Sequence, residues 1–135
     1  MNMHKGIILV LLFVLTGCIT EGQRMNDTGR AETFLTDDGQ RIAYTFIEGN
    51  KDVGVLLLHM LNRNRQDYEG FAKLLREHHY PVLALDFRGH GESDGRWEDF
   101  SPDEFSAMSF DVKAAEEFLA KHLGGRFEAG GATLQ

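Results

Sequence analysis

The stretches Val53–Leu61 (VGVLLLHML) and Pro81–Gly95 (PVLALDFRGHGESDG) decide the fold of this chain. Each starts with an apolar run about one strand long and ends in a polar or glycine-rich turn. Between them, Gln66–His79 places apolar residues at helical spacing and charged residues on the opposite side. A buried strand, an amphipathic helix and a second buried strand predict a parallel βαβ unit, which is typical of an α/β protein.

A β-hairpin and a second helix are predicted on either side of this unit. Ala31–Thr36 and Gln40–Glu48 flank an Asp-Asp-Gly turn, and apolar residues alternate along the second segment. Ser101–Glu104 has the serine, proline and early acids of a helix start, and Phe105–Leu123 continues the helix up to two glycines. The predicted packing faces are Tyr68, Phe71, Leu74 and Leu75 in the first helix and Phe110, Ala114, Phe118 and Leu119 in the second. We therefore expect one α/β domain over residues 31–135.

The first residues of the chain have the pattern of an export signal. Lys5 precedes the nine apolar residues Ile7–Leu15. As a helix these nine residues would rise only about 13 Å, whereas the hydrocarbon core of a bilayer is about 30 Å thick. A positive charge followed by an apolar segment too short to span a membrane is typical of a signal peptide.

The end of this segment, Leu15–Cys18 (LTGC), resembles a bacterial lipobox. That resemblance implies a signal peptide over residues 1–17 and a lipid on Cys18, with residues 18–30 as a flexible tether. The protein would then be an exported lipoprotein, anchored on the outer side of the cytoplasmic membrane, in the periplasm or at the outer membrane. A plain signal peptide with an incidental cysteine is the alternative.

The composition excludes a nucleic-acid partner and an internal disulfide. The 135 residues carry 14 Lys and Arg against 21 Asp and Glu, a formal net charge of −7. No basic stripe is available for nucleic acid, so we expect no nucleic-acid partner. Cys18 is the only cysteine, which excludes an internal disulfide.

The turn Asp86–Ser93 (DFRGHGES) is similar to the Asp-x-Arg-Gly-x-Gly-x-Ser turn of the α/β-hydrolase family, in its lipase, esterase and serine-aminopeptidase-like branch. The preceding turn, His59-Met60-Leu61, corresponds to the family's His-Gly turn, which would assign the oxyanion-hole donors to the backbone of Leu61 and Met60. The resemblance covers Glu32–Gly130 and implies the N-terminal half of the fold, with no cofactor. The residues it implies as structural supports beside the site are His59, Asp86, Arg88, Gly89, His90, Gly91 and Ser93.

The only Gly-x-Ser-x-Gly match, Gly91–Gly95 (GESDG), falls within the Asp-x-Arg-Gly-x-Gly-x-Ser turn, where the resemblance implies a structural support, and no second match supplies the family's nucleophile elbow. The register after the second helix puts Phe127–Gly130 on the elbow strand and Thr133 at the nucleophile position. The family's acid and histidine would follow Gln135. We therefore predict a truncated hydrolase that is inactive as given. It would expose an unpaired central strand, an open sheet edge prone to self-association. It would take a small ester or amide substrate only when the fold is completed.

The same residues allow two other interpretations. A metal site at the sheet edge could draw on His59, His90, Asp86, Glu92 and Asp94, but no recognised ligand spacing supports it and no metal is expected. A small surface lipoprotein that uses the half-sheet as a non-catalytic binding module is the alternative function, and nothing in the sequence names its ligand.

Overall fold

The computed structural model describes residues 7–10, 31–124 and 129–130. These residues form one mixed sheet in the order β2-β3-β5-β4-β1-β6. The strands are β1 (Ile7–Val10), β2 (Glu32–Leu35), β3 (Arg41–Ile47), β4 (Gly54–Leu58), β5 (Val82–Leu85) and β6 (Ala129–Gly130). The β2–β3 hairpin is antiparallel and joins β5 in antiparallel register, whereas β4 pairs with β5 in parallel. The predicted hairpin and parallel βαβ unit are confirmed, and so is the α/β fold class.

The helices lie where the sequence predicts them, with two differences. A 3-10 turn over Arg65–Tyr68 leads into α1 (Glu69–Glu77). The second predicted helix divides into α2 (Pro102–Ser106), which starts with a capping box between Ser101 and Glu104, and α3 (Ser109–His122). No helix in the described part of the chain has the length and apolarity needed to cross a bilayer.

Two residues of the predicted packing faces are exposed rather than buried. Leu74 of α1 is 49% exposed and Phe110 of α3 is 38% exposed. The buried residues of α3 are Asp111, Ala115 and Leu119. The predicted residue Leu119 is buried and Phe118 packs against the same cluster, but α3 buries Asp111 and Ala115 rather than Phe110 and Ala114, because a charged residue that reads as solvated in the sequence is buried.

Apolar side chains cover both faces of the central strands. On one face, Leu56 and Leu58 of β4 lie in one cluster with Ala115 and Leu119 of α3. On the other face, Val55 and Leu57 lie in a second cluster that includes Ala72 of α1. All nine residues of β4 and β5 are buried. Continuous apolar runs without alternation are expected of strands enclosed in this way.

The side of β4 that faces away from β5 is occupied by β1, a pairing that the sequence does not predict. Ile7 pairs in parallel with Gly54 and Val10 with Leu57. The short β6 pairs with the far side of β1, Ile7 to Ala129. The Ile-Ile-Leu-Val run pairs with four of the five residues of β4, whereas Ala-Gly offers only two residues, both poor strand formers. Both edges of β4 are therefore paired. Cys18 and Thr133 lie outside the described residues.

Candidate active site

The carboxyl ends of β4 and β5 bring the two predicted turns together. His59-Met60-Leu61 follows β4, and Asp86–Ser93 follows β5. A cleft of about 300 Å³ opens at this edge, between residues 62–64, 89–91 and 96–98. Ligands bind at the carboxyl ends of strands in open α/β sheets, so the cleft lies where a substrate is expected.

The turn after β4 presents two backbone donors. Within the described residues, the N–H groups of Met60 and Leu61 bond to no acceptor, while those of Asn62 and Arg63 are both bonded. Met60 and Leu61 are about half exposed, at 50% and 53%. The positive backbone angle of this turn falls on Asn62, with φ 60°, and asparagine tolerates that conformation. This explains how Met60 fits where the family has glycine.

His59 joins the end of β4 to the loop after β5. Its Nε2 accepts a hydrogen bond from the Phe87 N–H at 3.0 Å. Nδ1 therefore carries the proton and donates to the Met60 carbonyl at 2.7 Å. Burial lowers the pKa of His59, so the ring is neutral and is fully engaged by backbone groups.

His90 makes the reciprocal connection. Its Nε2 accepts from the Asn62 N–H at 3.1 Å, and its Nδ1 lies 3.0 Å from the Arg88 carbonyl, to which it donates. The ring stacks on Trp97 with the ring centroids 5.9 Å apart. Each turn thus supplies a histidine that holds the backbone of the other turn, and neither ring has a free nitrogen for general-base chemistry.

Asp86 is an anchor of the second loop. Asp86 is fully buried and accepts from the Arg65 backbone N–H at 2.7 Å, from the Arg65 guanidinium and from the Glu92 N–H at 3.0 Å. Arg65 also bonds the Glu92 carboxylate at 2.8 Å. No pattern in the sequence singles out Arg65.

Arg88 connects three distant parts of the chain. Its Nε donates to the Asp111 carboxylate of α3 at 2.9 Å, and its terminal nitrogens donate to Asp38 in the hairpin turn at 2.7 and 2.8 Å. The Arg88 guanidinium holds the pKa of Asp38 at about 2. Asp111 was missed as a structural residue because a single acid on a helix surface is usually solvated.

The remaining predicted supports are structural as well. Ser93 donates its hydroxyl to the Asp86 carbonyl at 2.6 Å and accepts from the Ala43 N–H at 2.8 Å. Gly89 and Gly91 have positive φ angles of 77° and 50°. A Cβ on Gly91 would lie 2.2 Å from the Asp86 carboxylate. The loop therefore requires glycine at these positions.

None of the chain's four serines is placed as a nucleophile. Ser101 caps α2, Ser106 donates to the Pro102 carbonyl at 3.0 Å, and Ser109 donates to the Ser106 carbonyl at 3.0 Å. The fourth, Ser93, is the buried loop residue described above. Within the described residues, no three His, Cys, Asp or Glu side chains form a group that could hold a metal ion.

Folding stability is expected to decrease as the pH falls below about 6.5. The unfolded histidine titrates near 6.5, whereas burial lowers the pKa of folded His59. The unfolded state therefore binds the proton more readily. The contribution of His59 is complete above about pH 6.5 and is lost as the pH falls through its lowered pKa. Urea unfolding between about pH 7.5 and 5 would measure this decrease.

The His59→Gln variant is the control for this titration. Glutamine keeps a hydrogen-bond acceptor but does not titrate, so the slope of stability against pH should flatten in this window. Asp38, with its pKa of about 2, titrates well below the window. An equal slope in both proteins would contradict the assignment to His59.

Known proteins similar to this chain are hydrolases. A family model described as serine aminopeptidase, S33, matches residues 49–126. An esterase from Pyrococcus furiosus is 25% identical with a TM-score of 0.59, and the match covers 73% of this chain and 36% of that one. An esterase from Exiguobacterium antarcticum is 23% identical with a TM-score of 0.56, with coverage of 67% and 32%.

A further structure, an α/β-hydrolase from Novosphingobium aromaticivorans, is 28% identical with a TM-score of 0.52, and the match covers 74% of this chain and 34% of that one. The chain therefore spans about a third of the length of the solved structures that it matches. A comparison with curated proteins found no significant match.

Proposed function

The chain belongs to the serine aminopeptidase S33 family of α/β-hydrolases, and we propose that it supplies the oxyanion-hole half of a serine hydrolase that cleaves ester or amide bonds. The observation that carries this proposal is the turn after β4. The N–H groups of Met60 and Leu61 have no acceptor among the described residues, both residues are about half exposed, and they directly precede Asn62, which lines the cleft. An acyl-transfer transition state needs two such donors for its developing oxyanion.

The two histidines make this turn a rigid one. His59 binds the Met60 carbonyl within the turn and accepts from the Phe87 N–H of the neighbouring loop, while His90 of that loop accepts from the Asn62 N–H. The backbone on either side of Leu61 is therefore held by a histidine. Donors that are already oriented need no reorganisation when charge develops. The energetic benefit of an oxyanion hole depends on this fixed orientation.

The nucleophile and its partners are proposed to lie outside these 135 residues. The one Gly-x-Ser-x-Gly match, Gly91–Gly95, contains Ser93, whose hydroxyl is buried and bonded to the backbone of Ala43 and Asp86. The other three serines are bonded to backbone groups as well. A site without the nucleophile and its base retains only the small effect of binding and oxyanion stabilisation. We therefore propose that residues 1–135 alone are inactive.

The decisive experiment is to sequence the gene beyond codon 135 and to translate all three forward frames. A Gly-x-Ser-x-Gly followed by an Asp and a His would support the proposal, and the longer product would then be expressed. In that product, Leu61→Pro removes one donor and should lower kcat about 100- to 1000-fold, while Leu61→Ala keeps the N–H and should change it little. Equal activity of the two variants would exclude Leu61 as an oxyanion donor.

The 135-residue chain is tested separately with p-nitrophenyl acetate. We expect its turnover to equal that of a Thr133→Ala variant, because Thr133 is the only residue that the family register puts at the nucleophile position. Turnover clearly above that of the variant would overturn the proposed inactivity.

We also propose that the protein is exported and anchored by a lipid on Cys18. The support is the order of a positive charge, an apolar run and the Leu-Thr-Gly-Cys sequence in residues 5–18. Two or more acyl chains would hold the protein stably on a membrane. A Cys18→Ser variant is expected to leave the membrane fraction, and an unchanged fraction would contradict lipidation.

A further inference from the structure

His90 supports a turn of the backbone at a residue that is not in its preferred conformation. The Arg63 N–H donates to the Met60 carbonyl at 3.1 Å, so residues 60–63 form a β-turn. The third residue of this turn, Asn62, has φ 60°. Asparagine tolerates this left-handed conformation but does not adopt it as readily as glycine does. The Asn62 N–H donates to Nε2 of His90 at 3.1 Å, and this bond helps to hold the turn closed.

The hydrogen bond to Asn62 requires the neutral form of the His90 ring. Nδ1 of His90 carries the proton and donates to the Arg88 carbonyl at 3.0 Å, which leaves Nε2 as an acceptor. In the imidazolium form both ring nitrogens are donors. Nε2–H would then face the Asn62 N–H, and two donors cannot bond to each other. Protonation of His90 therefore removes the bond to Asn62 and keeps the bond to Arg88.

The surroundings of His90 allow the ring to take up a proton. His90 is one of the residues that line the cleft, so a proton can reach the ring from that side. The ring stacks on Trp97, with centroids 5.9 Å apart and an angle of 13° between the planes. A cation on the face of an indole ring is stabilised electrostatically, so Trp97 is a partner for the charged form.

The charged residues around this ring are largely paired with each other. In the described part of the chain these pairs are Arg63 with Asp67, Arg65 with Asp86, Arg96 with Asp99, and Arg88 with Asp38 and Asp111, and Glu98 is a further charge that lines the cleft. His59 is the other titratable ring in contact, with centroids 4.9 Å apart. Burial lowers the pKa of His59, so His59 is neutral and adds no repulsive charge when His90 is protonated.

We propose that His90 is a pH-sensitive switch for the turn that carries the Met60 and Leu61 N–H groups. When His90 is neutral, its bond to Asn62 fixes the turn. When His90 is protonated, this bond is lost, Asn62 relaxes from its positive φ, and the two N–H groups lose their fixed orientation. The closed turn binds fewer protons than the released turn, so a fall in pH through the range in which histidines titrate favours release. The switch does not depend on hydrolase activity.

The test uses the full 135-residue chain, made by cell-free synthesis so that Cys18 stays unmodified. Two signals are followed between about pH 7.5 and 5, while circular dichroism confirms that the fold persists. Trp97 is the only tryptophan, and its fluorescence reports the charge of the ring stacked on it. Hydrogen exchange of the Arg63 N–H, relative to the intrinsic rate at each pH, reports the closure of the turn. We expect both signals to change with the same midpoint, and the protection of Arg63 to fall at least about fivefold, as for the loss of one hydrogen bond.

His90→Gln removes the switch, because glutamine does not titrate, so both signals should lose their pH dependence. His122→Gln is the matched control. His122 is exposed at the end of α3, where its Nδ1 lies 2.8 Å from the Phe118 carbonyl, and this variant should respond as the wild type does. A response that persists in His90→Gln, or one that is lost in His122→Gln, would overturn the proposal.

Asn62→Gly covers the case in which His90→Gln does not fold. Glycine adopts a positive φ readily, so the turn in this variant no longer depends on the bond to His90. We expect the fluorescence of Trp97 to titrate as in the wild type, while the Arg63 N–H keeps its protection at about pH 5. A loss of protection equal to that of the wild type would contradict the release of Asn62 as the switching step.

Discussion

Replacing Asp86 with alanine is expected to lower the free energy of unfolding by about 3–5 kcal/mol. Asp86 is fully buried and Arg65 is 8% exposed, so the variant leaves a buried guanidinium without its main carboxylate. It also leaves the N–H groups of Arg65 and Glu92 without their acceptor. The Glu92 carboxylate, which is half exposed, cannot compensate for all three lost bonds. Urea denaturation monitored by tryptophan fluorescence would measure the change.

The matched control for Asp86 is Asp99→Ala. Asp99 forms an ion pair with Arg96 at 3.9 Å, and both side chains are 75% exposed. Such surface pairs contribute about 1 kcal/mol or less. If Asp86→Ala does not fold, Asp86→Asn keeps the shape of the side chain and allows the comparison to be made. Equal losses at residues 86 and 99 would show that the buried pair has no special role.

Replacing Gly89 with alanine is the second substitution with a large expected effect. Gly89 has φ +77°, and a Cβ there would lie 2.5 Å from the backbone nitrogen of Trp97 and 2.6 Å from the Phe100 ring. The left-handed conformation costs an alanine about 1–2 kcal/mol, and an overpacked contact adds about 1–3 kcal/mol. We therefore expect a loss of about 2–5 kcal/mol in the free energy of unfolding.

Substitutions at two other glycines distinguish the backbone strain of Gly89→Ala from its steric contacts. Gly39 has φ +82° with no atom within 4 Å of a Cβ, so Gly39→Ala should show only the backbone cost of about 1–2 kcal/mol. Gly70, in α1, has an open Cβ position and no positive φ, so Gly70→Ala should stabilise by up to about 1 kcal/mol. Equal losses at residues 39 and 89 would contradict the close approach of Trp97 and Phe100.

The sequence predicts the regular elements of this fold well. β4 and β5 are recognisable because strands enclosed on both faces are continuous apolar runs. The hairpin is recognisable from the alternation along β3 and from the Asp-Gly turn. These signals are local, since a few neighbouring residues suffice to define them.

The networks beside the site were not predictable in the same way. Arg65 and Asp86 are 21 residues apart, and Arg88 and Asp111 are 23 apart. A charged residue reads as solvated until its partner is known, so the buried positions of Arg65 and Asp111 needed the tertiary structure. The fit of Met60 depended on Asn62 accepting the positive φ, which no spacing rule indicates.

The N-terminal segment shows a second limit of prediction from the sequence. A short apolar run is compatible with an export signal, a buried helix or a strand. Its length argued against a membrane span, but the sequence could not indicate that Ile7–Val10 would pair with β4. Pairing depends on an available edge elsewhere in the fold, and that information is not local.

Because Arg88 bonds to both Asp38 and Asp111, its ion pairs form in a fixed order as the chain is synthesised. Asp38 leaves the ribosome first, Arg88 follows, and Asp111 emerges last. The hairpin turn can be clamped by Arg88 early, but the guanidinium acquires its buried carboxylate only when α3 has been made and has packed. Non-local contacts of this kind slow folding, because the loop between the partners must be closed before the contact forms. A nascent chain stopped before α3 would therefore hold the Arg88 guanidinium by its bond to Asp38 alone.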